Sequence, residues 1–299
     1  MTTPGYLKKG NSIAIVAPAG KISKEKINAA VKTFESWGLK VVLGKHLFRA
    51  YHQFSATDEE RTADFQCMLD DESVKAIICA RGGYGVVRII DRLDFSKFIK
   101  NPKWIVGFSD VTTFFSHILT NFGIETLHAI MPLNFPDNDK ENESLLTLQK
   151  ALLGEPLNYT FNSFPLSKRG EGKGVLTGGN LSILCSLIGT KSDINTDSKI
   201  LFIEDVGEYL YRLDRMMWHM KRARKLEKLA GLIAGGMTEM KDNEIPFGKN
   251  AYEIIAEAVK EYNYPVCYGF PAGHTDDNSA LILGRKIKLT VNYDITTIT

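Results

Sequence analysis

Ser109, Glu204 and His274 are the side chains of this sequence whose types and settings suit covalent chemistry. They are a hydroxyl able to attack a carbonyl, a carboxylate able to orient an imidazole, and an imidazole able to take the hydroxyl's proton. Each lies just past the end of a short apolar run. Ser109 follows Trp104-Ile-Val-Gly107, the acids Glu204-Asp-Val-Gly-Glu208 follow Ile200-Leu-Phe-Ile203, and His274 closes Gly269-Phe-Pro-Ala-Gly-His274 after Pro265-Val-Cys-Tyr268. A serine at a tight strand-to-helix junction is lifted out of the sheet beside the free N–H groups that open the helix. The same residue also N-caps helices, and this stretch alone leaves both roles open. Among the acids, Glu204 is nearest the strand, where the sheet sets its position, and burial there requires a partner such as His274. Asp205 and Glu208 read as caps of the following helix or as supports. His274 is one of six histidines, and a histidine in a glycine-rich loop serves structure as readily as catalysis. His117 and His219 fall inside helix-like runs, while His46, His52 and His128 have no special neighbours.

Two rivals need weighing against that constellation. Cys79 ends an apolar strand just before Arg81-Gly-Gly-Tyr-Gly85, where a thiol nucleophile could sit, although no histidine lies near it in sequence. Alternatively the glycines place backbone N–H groups beside an anion, and the chain is an α/β binding protein in which Ser109 only caps a helix. The loop lacks the full GxGxxG pattern of a dinucleotide site. The four cysteines, Cys67, Cys79, Cys185 and Cys267, are far apart and show no CxxC pair or Cys/His ligand spacing. They read as buried free thiols, with no metal and no cofactor expected.

The elements that must position these residues alternate. Ser12–Ala17 is a continuous apolar run, as a strand buried on both faces reads. Lys24–Trp37 carries Ile27, Ala30, Val31, Phe34 and Trp37 on one helical face before Gly38, and Val41–Leu43 is the next strand. Thr57 and Glu60 have capping-box spacing at the start of a helix running through Leu69. Strands are expected at Val74–Ala80, Trp104–Gly107 and Glu125–Ala129. Residues 134–170 are turn-rich, with one helix at Ser144–Leu153, and read as a connection. The second half restarts at Gly174, with a buried helix at Leu181–Ile188, a strand at Lys199–Ile203, a helix at Tyr209–Arg224, a helix at Ala251–Tyr262, and paired strands around Gly284-Arg285 in Ala280–Val291. The expected fold class is α/β with two domains. Residues 1–133 form an N-terminal parallel-sheet domain, flavodoxin-like or Rossmann-like, carrying the nucleophile, and residues 171–299 form a mixed α/β domain carrying the acid and the histidine.

A length of 299 residues exceeds the usual single core, and 44% hydrophobic with 24% charged residues is ordinary for a globular chain. The net charge of +2 gives no argument for nucleic acid or an anionic membrane surface. No window has the apolar length of a membrane span, and Met1–Lys9 lacks a signal peptide's hydrophobic core, so the expected location is cytoplasmic.

Five stretches together resemble the LD-carboxypeptidase family of serine peptidases. They are Arg81-Gly-Gly-Tyr-Gly, Gly107-Phe-Ser-Asp, Leu176-Thr-Gly-Gly-Asn-Leu, Leu201-Phe-Ile-Glu-Asp-Val-Gly-Glu with Tyr211-Arg-Leu-Asp-Arg, and Gly273-His. They occur in matching order across nearly the whole chain. The resemblance implies a catalytic triad of Ser109, Glu204 and His274, and an oxyanion hole from the backbone N–H groups of Gly83 and Asp110. It also implies a homodimer, and as substrate a murein tetrapeptide that loses its terminal D-alanine during peptidoglycan recycling. The family's other group, the microcin immunity peptidases, cuts peptidyl nucleotides. The Glu-Asp-Val-Gly-Glu stretch and the short segment between Gly189 and Lys199 look more like the first group. A substrate ending in a carboxylate calls for a cation or a helix N-terminus, and Arg81 is a candidate.

Overall fold

The computed structural model describes residues 1–136 and 142–299. Residues 137–141 of the turn-rich connection lie outside the described residues. Strands β1 (Ser12–Val16), β2 (Lys40–Leu43), β3 (Val74–Cys79), β4 (Trp104–Gly107) and β5 (Thr126–His128) pair in parallel in the order 2-1-3-4-5. That is the flavodoxin-like order, and it places the crevice beyond the strand C-termini. Alternation along the strands explains their continuous apolar sequence. Ile13 and Ile15 face one apolar cluster with Phe34 and Leu148, whereas Ala14 and Val16 face another with Phe65 and Phe114.

A second sheet contains β6 (Tyr159–Asn162), β7 (Gly170–Asn180), β8 (Ile200–Val206), β9 (Gly231–Thr238) and β10 (Val266–Tyr268). Of the last three strands, β11 (Leu281–Leu283) leaves this sheet, and β12 (Lys286–Val291) and β13 (Ile295–Ile298) extend it, giving the order 10-9-8-7-12-13-6. Strands β7 to β10 are parallel neighbours and the remainder are antiparallel, so the sheet is mixed.

Three features differ from the sequence reading. The residues around Gly284-Arg285 are not a hairpin: β11 pairs antiparallel with β5 as an edge of the first sheet, while β12 pairs with β7. Residues 171–299 therefore contribute a strand to the N-terminal sheet. The connection also contributes, since the helix Glu143–Leu153 packs on the first sheet and β6 closes an edge of the second. Short apolar strands of this kind carry no local mark of which sheet they join.

The sheets meet through a shared apolar layer containing Phe114, Phe115, Phe202, Ile233 and Phe270. The helix Thr112–Phe122 supplies much of it, and its first eight residues are all buried, the polar Thr112, Thr113, Ser116 and His117 among them. Gly179 allows the close approach: a Cβ there would meet Thr112 Oγ1 at 2.5 Å, and the neighbouring Asn180 N–H donates to that hydroxyl at 3.0 Å.

Candidate active site

Ser109 follows β4 on a turn that the sequence strains. Phe108 is extended, with φ −157°, and Ser109 is left-handed, with φ +63°. For a serine that backbone costs about 1–3 kcal/mol and persists only where the surroundings enforce it. Gly107 admits the turn, because a Cβ there would press on Val111 Cγ2 at 2.9 Å. A short 3-10 turn, Ser109–Val111, then runs into the helix Thr112–Phe122. The serine hydroxyl makes no capping hydrogen bond among the described residues, so the capping role is not the one it plays here. Its Oγ instead abuts Gly82, where a Cβ would lie 3.0 Å away.

Glu204, in β8, is fully buried, and its Oε2 accepts from His274 twice. The ring Nδ1 is 2.7 Å away and the backbone N–H 3.3 Å away. Burial lowers the proton affinity of His274, but the hydrogen bond and charge of Glu204, aided by Asp205 and Glu239, outweigh it and raise its pKa above the ordinary 6.5. With Nδ1 occupied, Nε2 is left without a hydrogen bond among the described residues. The rings of Phe108 and His274 meet edge-on at 4.9 Å, so the residue preceding Ser109 packs directly on the imidazole. The serine turn, the acid and the histidine loop thus occupy one neighbourhood at the junction of the sheets; β8 continues to Val206, so Glu204 and Asp205 lie within the strand and not past its end as the apolar run suggested.

The glycine loop after β3 borders the serine. The N–H groups of Gly83 and Asp110 donate to no partner among the described residues, and Gly83 has φ +116°. The buried Asp110 side chain accepts from Val86 N–H at 2.9 Å and fastens the glycine loop to the serine turn. Burial pushes its carboxyl up to about 6, against the opposing pull of that N–H and of Arg61. Arg61 is itself buried, donating to the carbonyls of Pro18 and Gly85 and pairing with Asp58. The Arg81 guanidinium donates to Lys21 O at 2.9 Å and lies against Gly20. Cys79 is fully buried, and burial together with the nearby Asp110 pushes its thiol far up, which removes the thiolate that a nucleophile needs. Cys185 and Cys267 are buried as expected, whereas Cys67 is exposed.

Asp205 does not cap the helix that follows it. It accepts from Ser182 N–H at 2.9 Å and Asn180 Nδ2 at 3.1 Å, supporting the preceding helix Leu181–Leu187, while the helix Leu210–Arg222 has no side-chain cap. Glu208 reaches Arg212 at 3.9 Å. A cavity of about 360 Å³ opens beside His274, lined among others by Phe108, Asn134, Glu239, Asp276 and Asn278. Neither Glu239 nor Asp276 has an ion pair among the described residues, so the wall is acidic. Sequence reasoning missed Arg61, His128, Asn180 and Asn278. Only Asn180, closing Leu-Thr-Gly-Gly-Asn at a strand end, carried a local signal. Among the described residues no group of three or more His, Cys, Asp or Glu side chains is placed to hold a metal ion, and no helix is long and apolar enough to cross a membrane.

Comparison with known proteins decides the family. Residues 13–129 match the LD-carboxypeptidase N-terminal domain and residues 173–289 the C-terminal domain. The chain belongs to the LD-carboxypeptidase family. It is a peptidase relative across its length: it is 34% identical over 290 residues to the probable murein peptide carboxypeptidase of Bacillus subtilis, covering 95% of this chain and 90% of that protein. The crystal structure of muramoyltetrapeptide carboxypeptidase from Oxalobacter formigenes superposes with a TM-score of 0.85 at 28% identity, covering 96% of this chain and 98% of that one. The Escherichia coli microcin self-immunity protein MccF is 27% identical over 311 residues, covering 93% of this chain and 88% of that protein. The two-domain α/β architecture of this LD-carboxypeptidase-family chain is that of its structural neighbour.

Proposed function

We propose that this chain is a serine LD-carboxypeptidase that releases the terminal D-alanine from muramoyl tetrapeptide, in the cytoplasm, during peptidoglycan recycling. The observation that carries the reading is the buried Glu204 carboxylate bonded at 2.7 Å to His274 Nδ1. That bond fixes the tautomer with Nε2 as the base, beside a serine held in a strained turn. His274 takes the proton of Ser109 as the hydroxyl attacks the scissile carbonyl, and Glu204 stabilises the imidazolium. The undonated N–H groups of Gly83 and Asp110 suit the developing oxyanion. The protonated imidazole then gives its proton to the departing amine of D-alanine, and water, activated by the same base, hydrolyses the acyl-enzyme. The names of the relatives in Bacillus subtilis and Oxalobacter formigenes supply the substrate class. A homodimer is the proposed assembly, checked by light scattering of the purified chain.

The test is mass spectrometry of the purified protein with a murein tetrapeptide, where loss of one alanine is expected and an unchanged peptide rejects the reading. A peptidyl nucleotide in a parallel tube serves the alternative of a microcin-immunity-type peptidase. A chelator is expected to leave alanine release unchanged, and loss of activity restored by zinc would reject the serine mechanism.

The raised pKa of His274 sets the pH dependence. The base works only when neutral, so kcat/KM is expected to rise with pH through a midpoint above 6.5. Glu204→Gln removes the charge that raises it, leaving burial to lower it. The midpoint is therefore expected to move down while kcat falls by a factor of about 10³ or more. A midpoint that stays in place in this variant would show that Glu204 does not govern the base.

A further inference from the structure

Behind the Glu204–His274 pair lie three buried polar groups that the mechanism does not use. Glu204 Oε1 has no hydrogen-bond partner among the described residues, nor has Asn278 Nδ2, nor has either ring nitrogen of His128. These groups are neighbours. His128 ends β5 opposite Gly107 of β4 and Leu281 of β11, and its ring stands edge-on to Phe202 at 5.0 Å and tilted to Phe108 at 5.9 Å. Glu204, His274 and Asn278 are the polar groups that lie near it, although no hydrogen bond of normal length joins any of them to its ring. Asn278 is held from its other atoms, its Oδ1 accepting from Gly273 N–H at 2.9 Å and its own N–H donating to Ser144 Oγ at 2.7 Å.

The donors and acceptors match. A neutral imidazole has one N–H and one acceptor nitrogen, an amide NH₂ only donates, and a carboxylate oxygen only accepts. We propose that His128 is a positioning residue: it accepts from Asn278 Nδ2 and donates toward Glu204 Oε1, directly or through one shared water, and so holds Glu204 with Oε2 against His274. Leaving all these groups unpaired in an apolar site would be costly, and this arrangement satisfies every one. Burial keeps the imidazole neutral by pushing its pKa down to about 4, against the pull of Glu204, so it can both donate and accept at working pH. The proposal rests on Glu204 being the orienting acid.

The experiment compares His128→Leu with His128→Gln, since glutamine keeps a donor and an acceptor and leucine keeps only bulk. His128→Leu is expected to lower kcat about 10- to 100-fold with KM within about twofold, as loosened geometry does. By NMR titration it is expected to move the His274 midpoint down by about half a pH unit or more, because burial prevails once Glu204 is no longer held on Nδ1. His128→Gln is expected to recover kcat to within about fivefold of the parent. Equal activity of the two variants, or a His274 midpoint unchanged or raised in His128→Leu, overturns the proposal. Should His128→Leu not fold, His128→Met, which likewise keeps bulk and has no hydrogen-bonding nitrogen, takes its place in the same two measurements, with the same outcomes deciding. If the parent protein releases no alanine, the functional reading falls, and the His274 titration alone still decides the role of His128.

Discussion

Ser109→Ala is expected to reduce kcat for alanine release by a factor of about 10⁴–10⁶ while leaving tetrapeptide affinity nearly intact. The hydroxyl is the atom that forms the acyl bond in the proposed mechanism, whereas binding comes from the cavity and the loops. His274→Ala is expected to lose a similar factor, and the double variant little more than either, because the residues act as one unit. Presteady-state kinetics and calorimetry with the inactive variants check both halves of the statement, and additive losses would mean that the two do not share a step. Strain gives the same position a second signature. With φ +63° at Ser109, replacement by glycine relieves a left-handed backbone that serine adopts at a cost. Ser109→Gly is therefore expected to be inactive yet more stable by about 1 kcal/mol, measured by denaturant unfolding. A binding protein that uses Ser109 only as a cap would lose stability in Ser109→Ala, and it would have no turnover to lose.

What the sequence made legible was set by local physics. Apolar runs buried on both faces, such as Ile13-Ala-Ile-Val16, identify strands because their two faces meet two different helical layers. Thr57 and Glu60 form the capping box their spacing predicts. The positions of Ser109 and His274 beyond strand ends follow from one rule of open α/β sheets, and each has a glycine nearby that marks it, whereas Glu204 lies inside β8, which outlasts its apolar run. The destination of β11 was not legible, since Leu281-Ile-Leu283 suits either sheet and only long-range pairing with Thr126–His128 decides it. The same holds for the roles of Arg61 and His128. Their sequence neighbours are unremarkable, and what distinguishes them is the carbonyls, amide and carboxylate brought near from elements distant in the chain. Asp205 shows the same limit at short range. Proximity in sequence pointed it at the next helix, whereas the parallel pairing of β7 with β8 sets it beside Asn180 and the helix before.

Gly273→Ala is expected to lower kcat at least about a hundredfold, although the residue has no side chain and touches no substrate in the mechanism. A Cβ at position 273 would lie 2.6 Å from both Cβ and Oε2 of Glu204 and 2.7 Å from its Cγ, distances that real Cβ atoms essentially never show. Glu204 is fully buried within β8 and its backbone cannot retreat, so the relief must come from the loop that carries His274 or from rotation of the carboxylate. Either movement breaks the 2.7 Å bond to Nδ1, and a displacement near 1 Å at such a site costs roughly a hundredfold in rate. The backbone adds to the penalty, because Gly273 has φ +106°, a conformation that alanine rarely adopts. Steric displacement differs from loss of a functional group in its pH signature. With Glu204 pushed off the ring, the His274 midpoint is expected to fall as it does in Glu204→Gln, although the carboxylate is still present. Thermal unfolding separates this from global damage: a variant that stays folded at the assay temperature, has lost a hundredfold in kcat and keeps an unchanged His274 midpoint would show that the glycine acts other than by seating Glu204 against the imidazole.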